Sequence, residues 1–232
     1  MRILFLARWY PSHDAPGRGS FVADQAHALL QAGVDVVVAS WEPALVTSLA
    51  DADGAAAAWA RAIERSPLPL ATPRSWGAGV PVARLPTVMP ADPVARHPVD
   101  LARWQAATVV PFGRALAAAW PFDAVHAHTG LPDGLAAGDL ADDLGLPLLT
   151  TEHDGSLDVR LADDRARAAY RTLVGARRGL VAVSDRLADQ MARLSGVDRA
   201  RISVIPNLID RTLFRPDPAV VRDSNELLWV GS

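Results

Sequence analysis

"RILFLA" (2–7) followed by "SFVADQAHALLQAGVDVVVAS" (20–40) decides the fold. The first run is short, leucine-rich and uninterrupted, as a strand buried on both faces reads. After a long turn, Phe21, Val22, Ala26, Leu29 and Leu30 recur at helical spacing, with Ser20 as the expected N-cap and Gly33 just past the helix end. "VDVVVAS" (34–40) is then a second buried strand. Strand, helix and strand in this order form a right-handed βαβ crossover, so the two strands are parallel.

The same alternation resumes further along the chain. A long helix is expected over 100–120, bent at Pro111, then a strand over 123–127 and a helix over 132–144 stopped by Gly145. Next come strand 147–151, helix 163–178, strand 179–184, helix 185–195 and strand 201–206. The fold class is α/β, a doubly wound, mostly parallel Rossmann-like sheet of about seven strands. Residues 41–100 are harder to read. An alanine-rich helix at about 54–65 and a strand over 82–88 sit among prolines, glycines and three tryptophans, and 71–98 reads as irregular surface structure. "PNLIDRTLFRPDPAV" (206–220) is an extended, proline-punctuated stretch, and "NELLWVGS" (225–232) opens a further strand. The expected organisation is therefore one domain over 1–208, a linker over 209–225 and the first strand of a second domain over 226–232.

Composition removes several function classes. Half of the 232 residues are apolar, ample for a core, and the net charge of -3 gives no nucleic-acid footprint. All basic residues are arginine, which excludes a Schiff-base or P-loop lysine, and the lack of cysteine excludes thiol nucleophiles, disulfides and cysteine-ligated zinc. The apolar run at the N-terminus ends at Arg8, too soon for a secretory leader, and no stretch approaches the ~20 apolar residues of a membrane span. A cytoplasmic location is expected. Arg167, Arg171 and Arg178, read as one face of helix 163–178, are compatible with peripheral contact to anionic lipid on the inner membrane face.

In an open parallel sheet ligands bind beyond the carboxyl ends of the strands, and three polar clusters fall there. In "RWYPSHDAPGRGS" (8–20), Gly17 and Gly19 permit positive φ and close approach, ahead of a helix N-terminus suited to anions. In "VHAHTGLPDG" (125–134), His126 and His128 are read as facing opposite sides of the sheet, one packed and one exposed at the strand tip. Such an H-x-H can be a metal pair, but the reading favoured here is no metal and no cofactor. In "LPLLTTEHDGSLD" (146–158), a buried strand ends in Glu152, His153 and Asp154 beside Gly155. His153 is the functional candidate, able to bond sugar hydroxyls or a phosphate, while Asp154 also suits an N-cap of the next short helix.

These stretches, together with "VAVSDRLADQM" (181–191), "ISVIPNLIDRTLFRP" (202–216) and "LLWVGS" (227–232), resemble in order and spacing the N-terminal half of family 4 retaining glycosyltransferases of the GT-B fold. The resemblance covers nearly the whole chain, 41–100 being the weak zone. It implies transfer of a sugar from a nucleoside diphosphate sugar to an acceptor hydroxyl, with His153 at the reacting centre. It also implies that Gly17 and Gly19 lie near donor phosphate and acceptor, that His128 and Thr129 face the acceptor, and that Glu152 and Asp154 border the substrates. Pro206, Asn207 and Asp210 would lead across a hinge to the protein's own C-terminal domain. Leu208 stands where the family usually has glycine, and Gly33-Val34-Asp35-Val36 replaces the common Gly-His-x-Val. The family's diphosphate-binding basic residues and paired glutamates belong to the C-terminal domain, so residues 1–232 alone are expected to be inactive. A sugar-nucleotide epimerase of the same fold and a stand-alone sugar- or lipid-binding module are the alternatives.

Overall fold

The computed structural model describes residues 1–12, 14–46, 49–65 and 79–209, together with 211, 214–217, 219 and 229. The linker and the further strand expected over 209–232 lie largely outside the described residues, and Asp210 lies outside them.

Strand β1 (Arg2–Ala7) sets both layers of the core. Leu4 and Leu6 face one layer, with α3 (Pro98–Ala119) and α4 (Leu135–Leu144), while Ile3, Phe5 and Ala7 face the other, with α1 (Ser20–Gln31). Burial on both faces is why the strand has no polar alternation. Around it lie β2 (Asp35–Val46), β3 (Val82–Pro90), β4 (Ala124–His128), β5 (Leu148–Glu152), β6 (Arg178–Ala182) and β7 (Ile202–Val204). The order is β3-β2-β1-β4-β5-β6-β7 and every pair is parallel. This is the doubly wound Rossmann-like sheet that the alternation implies. Its order reverses between β1 and β4, so the crevice at a switch point opens at their carboxyl ends.

The proline-dense region is more regular than expected. β1 ends with Ala7 beside Ser40, but β2 continues from Trp41 to Val46, paired only with Leu85–Pro90 of β3. The two strands project past the rest of the sheet as an overhang. Prolines fit because β3 is an edge strand and Pro43 lies where β2 has lost its β1 neighbour. Helix α2 (Leu49–Arg65) starts earlier than the alanine run suggests and packs on α3, burying Ala52, Ala56, Leu101 and Trp104 with Val88. Trp104 Nε1 donates to Asp53 at 2.8 Å across that contact. Helix α3 runs through Pro111, which is buried.

Two boundaries differ from the sequence reading. The residue preceding α1 with cap geometry is Gly19, not Ser20, and it is left-handed at φ 68°. Helix α6 (Asp164–Arg171) ends before Thr172, Val174 and Gly175, which weaken a helix, and Arg178 opens β6 instead. The three arginines therefore share no helical face. Arg167 bonds Asp164, Arg171 donates to the Ser195 carbonyl at 3.0 Å, and Arg178 binds Asp142 and the Thr172 carbonyl. Short α5 (Leu157–Arg160) and α7 (Asp185–Ser195) complete the second half around Leu180 and Met191. Among the described residues no helix is long and apolar enough to cross a membrane.

A Cβ at Gly19 would overlap the Trp9 carbonyl, in a φ region that β-branched residues avoid. Gly19→Val should destabilise the domain by at least ~1–3 kcal/mol, seen as a lower denaturant midpoint. Unchanged stability would show that the loop relaxes freely.

Candidate functional site

His126 and His128 stand two residues apart on β4, and a strand's period of two puts them on the same face. The structure corrects the expectation of opposite facing: their rings stack with centroids 4.4 Å apart and both are buried. Phe5 of β1 packs edge-on against His126 at 4.8 Å, and His128 in turn faces His153, whose ring lies 4.4 Å from Phe21 in the first turn of α1. Four rings, two on β4, one just past β5 and one on α1, thus form one column leading to the carboxyl edge of the sheet.

Hydrogen bonds fix this column. His126 Nε2 meets Thr151 Oγ1 at 2.8 Å, and His128 Nδ1 meets His153 Nε2 at 3.1 Å, one ring donating and the other accepting. His128 Nε2 and His153 Nδ1 are left without partners. Burial lowers all three pKa values: His126 to about 3, His153 to about 4, and His128 well below its ordinary value. Asn207 works against the shift at His153, although no hydrogen bond of good geometry reaches Nδ1. The histidines are neutral near pH 7.

Glu152, expected to border substrate, is fully buried and saturated by the protein. One carboxylate oxygen accepts from the Gly130 amide at 2.9 Å and Tyr170 Oη at 3.0 Å; the other accepts from the His153 and Asp154 amides at 2.9 Å each. Burial raises its pKa to about 7, while these bonds favour the ionised form. Its task here is to hold the strand ends. Asp154 accepts from the Ser156 amide at 2.8 Å and from Arg160 Nε at 3.0 Å, so it shapes the turn into α5, whose N-cap is Ser156.

Thr129 caps β4 in a strained conformation, φ 89° and ψ 145°. Its amide donates to the Thr151 carbonyl at 2.7 Å and its carbonyl accepts from Gly134 at 3.0 Å, which hold the strain in place. Gly17 is exposed, with open space where a Cβ would stand, so only Gly19 of the pair needs to be glycine on steric grounds. Pro206 and Asn207 follow β7 and line a small hollow beside Thr151 and Gln25.

The sequence reading missed Asp133, which the wide turn 130–134 buries beneath the switch point. It accepts from the Arg8 amide at 2.8 Å and from Gln105 Nε2 at 3.3 Å, and burial raises its pKa to about 6 despite the Arg8 charge. Its signal was an acid just before a helix, past the switch-point strand. A larger cavity of about 300 Å³ lies beside it under the β2–β3 overhang, bordered by Arg8, Arg18, Arg96 and Arg160. Among the described residues no group of three or more His, Cys, Asp or Glu is placed to hold a metal ion.

Two outcomes check this geometry. In Glu152→Gln an amide NH2 must face at least one backbone N–H, so denaturant melts should show a loss of about 1–3 kcal/mol; a Gln variant of unchanged stability would mean these four bonds do not hold the site. The second is acid sensitivity. His153 stays neutral when folded down to about pH 4 but takes a proton near 6.5 when unfolded, so its contribution is full above 6.5 and lost as pH falls towards 4. Glu152 and Asp133, with raised values, oppose this trend in both proteins and cancel in a comparison. His153→Asn should therefore show a stability–pH slope between 4 and 6.5 shallower by about one proton; an identical slope would place His153 in water.

The comparisons with known proteins agree with this architecture. No curated protein matches the sequence. Among solved structures, the Anabaena protein HepE in complex with UDP-glucose aligns over 94% of this chain and 47% of its own, at 18% identity and a TM-score of 0.51. The glycotransferase of kitacinnamycin aligns over 96% of this chain and 55% of its own, at 17% identity and a TM-score of 0.50. At such identities the likeness is one of fold, and the chain spans about half the length of the structures it matches. The profile described as Glycosyltransferase Family 4 matches residues 17–213, from the glycine loop to beyond β7. By that match the chain belongs to glycosyltransferase family 4, as an N-terminal Rossmann-like domain of the GT-B fold.

Proposed function

We propose that this domain forms the acceptor-side wall of a retaining glycosyltransferase. The bond from the anomeric carbon to the diphosphate breaks, the diphosphate leaves with the electron pair, and the acceptor oxygen bonds the same face while losing its proton. The observation that carries the reading is the convergence of His128, Thr129, His153 and the start of α1 at the switch point, in a chain of this family. His153 is neutral, and its unpartnered Nδ1 suits a sugar hydroxyl. The amides opening α1 favour negative charge by about 0.3–1 kcal/mol, too little to hold a diphosphate alone.

A second domain therefore supplies the other wall, and Pro206 and Asn207 lead towards it. Ile205, Leu208 and Ile209, exposed beside the strand ends, supply apolar surface for that contact. The cavity under the overhang favours transfer over epimerisation, because a transferase must seat two substrates at once. A cytoplasmic pool of sugar nucleotides would supply the donor, and an acceptor in lipid would bring the enzyme to the inner membrane face.

The test is His153→Ala in the full-length enzyme, assayed with common sugar nucleotides. Losing a hydrogen bond that strengthens in the transition state should lower turnover by about 10²–10³ with little change in melting. A poorly folding but fully active variant would return His153 to packing. Residues 1–232 alone serve as the control, expected to give no turnover; turnover by this piece would overturn the two-wall reading.

A further inference from the structure

The cavity under the overhang carries more positive charge than the neighbouring acids Asp133 and Asp154 offset. Among the described residues, Arg160 alone of its four arginines has a carboxylate ion-pair partner, Asp154 at 3.0 Å. Arg96 donates to the carbonyls of Pro90 and Ala91 at 2.8 and 3.0 Å, which leaves its charge uncompensated. Arg8 and Arg18 make no side-chain hydrogen bond or ion pair among the described residues; Arg8 only covers the Trp9 ring at 5.1 Å. Asp133, a buried acid bonded to the Arg8 amide and Gln105, offsets part of the Arg8 charge but leaves Arg18 and Arg96 without an acid of their own among the described residues. Burial lowers the pKa of Arg8, a sign that the cation is held at some cost.

The wall also holds three buried polar atoms without partners: Trp41 Nε1, Thr87 Oγ1 and Gln105 Oε1. Thr87 and Gln105 are each only 1% exposed. Orphaned buried atoms are rare in native proteins and mark places where another group completes the bonding. An indole donor, a hydroxyl and an amide acceptor beside guanidinium groups ask for a ligand with both an anion and hydroxyls. The volume of about 300 Å³ suits a small molecule.

Resting on the glycosyl-transfer reading, we propose that this cavity seats the acceptor, and that the acceptor is a phosphorylated polyol. The phosphate would lie among Arg8, Arg18 and Arg96, and the hydroxyls would meet Thr87, Gln105 and Trp41. A phosphate monoester carries close to two negative charges and accepts bidentate guanidinium bonds, where a lone carboxylate would leave the cluster under-neutralised. Arg8 leaves the tip of β1 and is tied to Asp133, five residues beyond His128, so the polyol is held next to the reacting centre.

The experiment is calorimetry on the 232-residue chain with inorganic phosphate, glucose 6-phosphate and glucose at low salt. Phosphate and glucose 6-phosphate should bind and glucose should not at the same concentrations. The double variant R8Q/R18Q should weaken both by about tenfold or more, and added salt should do the same. R18E alone, at an exposed position that makes no side-chain bond among the described residues, keeps the test valid if the double variant fails to fold. Flotation with phosphatidylinositol 4-phosphate vesicles, lost in R18E, would assign the phosphate monoester to a lipid headgroup; binding of soluble esters alone would assign it to a free metabolite; either supports the proposal. Equal binding of glucose and glucose 6-phosphate, or phosphate binding indifferent to these variants, overturns it. No sugar nucleotide enters this measurement, so its failure leaves the transfer reading standing, and an inactive full-length enzyme would leave this result standing.

Discussion

The carboxylate of Glu152 holds the candidate site together. It sits at the last position of β5, fully buried, and takes four hydrogen bonds from three segments: the turn after β4, the chain leaving β5, and Tyr170 on α6. A carboxylate this deep is tolerated only because every neighbour donates to it. Gly130 is part of the same arrangement, since a Cβ there would run into the Tyr170 ring and crowd Glu152. With this knot tied, the tips of β4 and β5 are held side by side, and His128 and His153 come within bonding distance. The polar residues that looked like ligand groups in the sequence divide into Glu152, which anchors, Asp154, which shapes the turn into α5, and His128 and His153, which pair along the column.

The second constraint is the unequal length of the strands. β2 and β3 outrun β1, and their overhang turns a flat sheet edge into a walled cavity. Arg84 ties the wall to the loop after β1, reaching Ser40 at 3.1 Å and the Pro11 carbonyl. The helix pair α2–α3 buttresses it from outside through Trp104 and Asp53. The site and the cavity therefore share one frame, and Asp133 joins them by bonding both the Arg8 amide and Gln105.

Much of the fold was legible because long apolar runs and helix signals repeat with little competition. The overhang was not, because Pro43, Pro86 and Pro90 argue against strands unless one knows that they lie at an unpaired edge. Helix α6 was overextended because its arginines and alanines favour helix locally, while β6 claims Arg178 through pairing that no local window contains. The histidines of β4 were placed on opposite faces although their spacing of two puts them on one; the parity of the strand was in the sequence all along. Glu152 and His153 stood out as a polar strand end, but their separate tasks depend on Gly130 and Tyr170, partners brought from elsewhere in the chain. Arg8, Asp133 and Gln105 lie far apart in sequence, and only the topology makes them neighbours.

The unsatisfied groups show which face was shaped for a ligand. Among the described residues, seven buried side-chain atoms lack a partner, and five of them line the histidine column or the arginine cavity. Each such atom costs about 1–3 kcal/mol, and the strain at Thr129 costs a similar amount. A fold that leaves these costs on one edge gains them back only when something binds there. The column adds a directional consequence. Both His128 and His153 are neutral, and their shared bond uses one proton. If a ligand hydroxyl donates to His153 Nδ1, the proton of His153 must sit on Nε2 and point at His128. His128 then accepts at Nδ1 and carries its own proton on Nε2, as a donor. A ligand that instead accepts from His153 reverses every role. The hydrogen-bonding character of the buried end of the pair is thus set by what binds at the outer end.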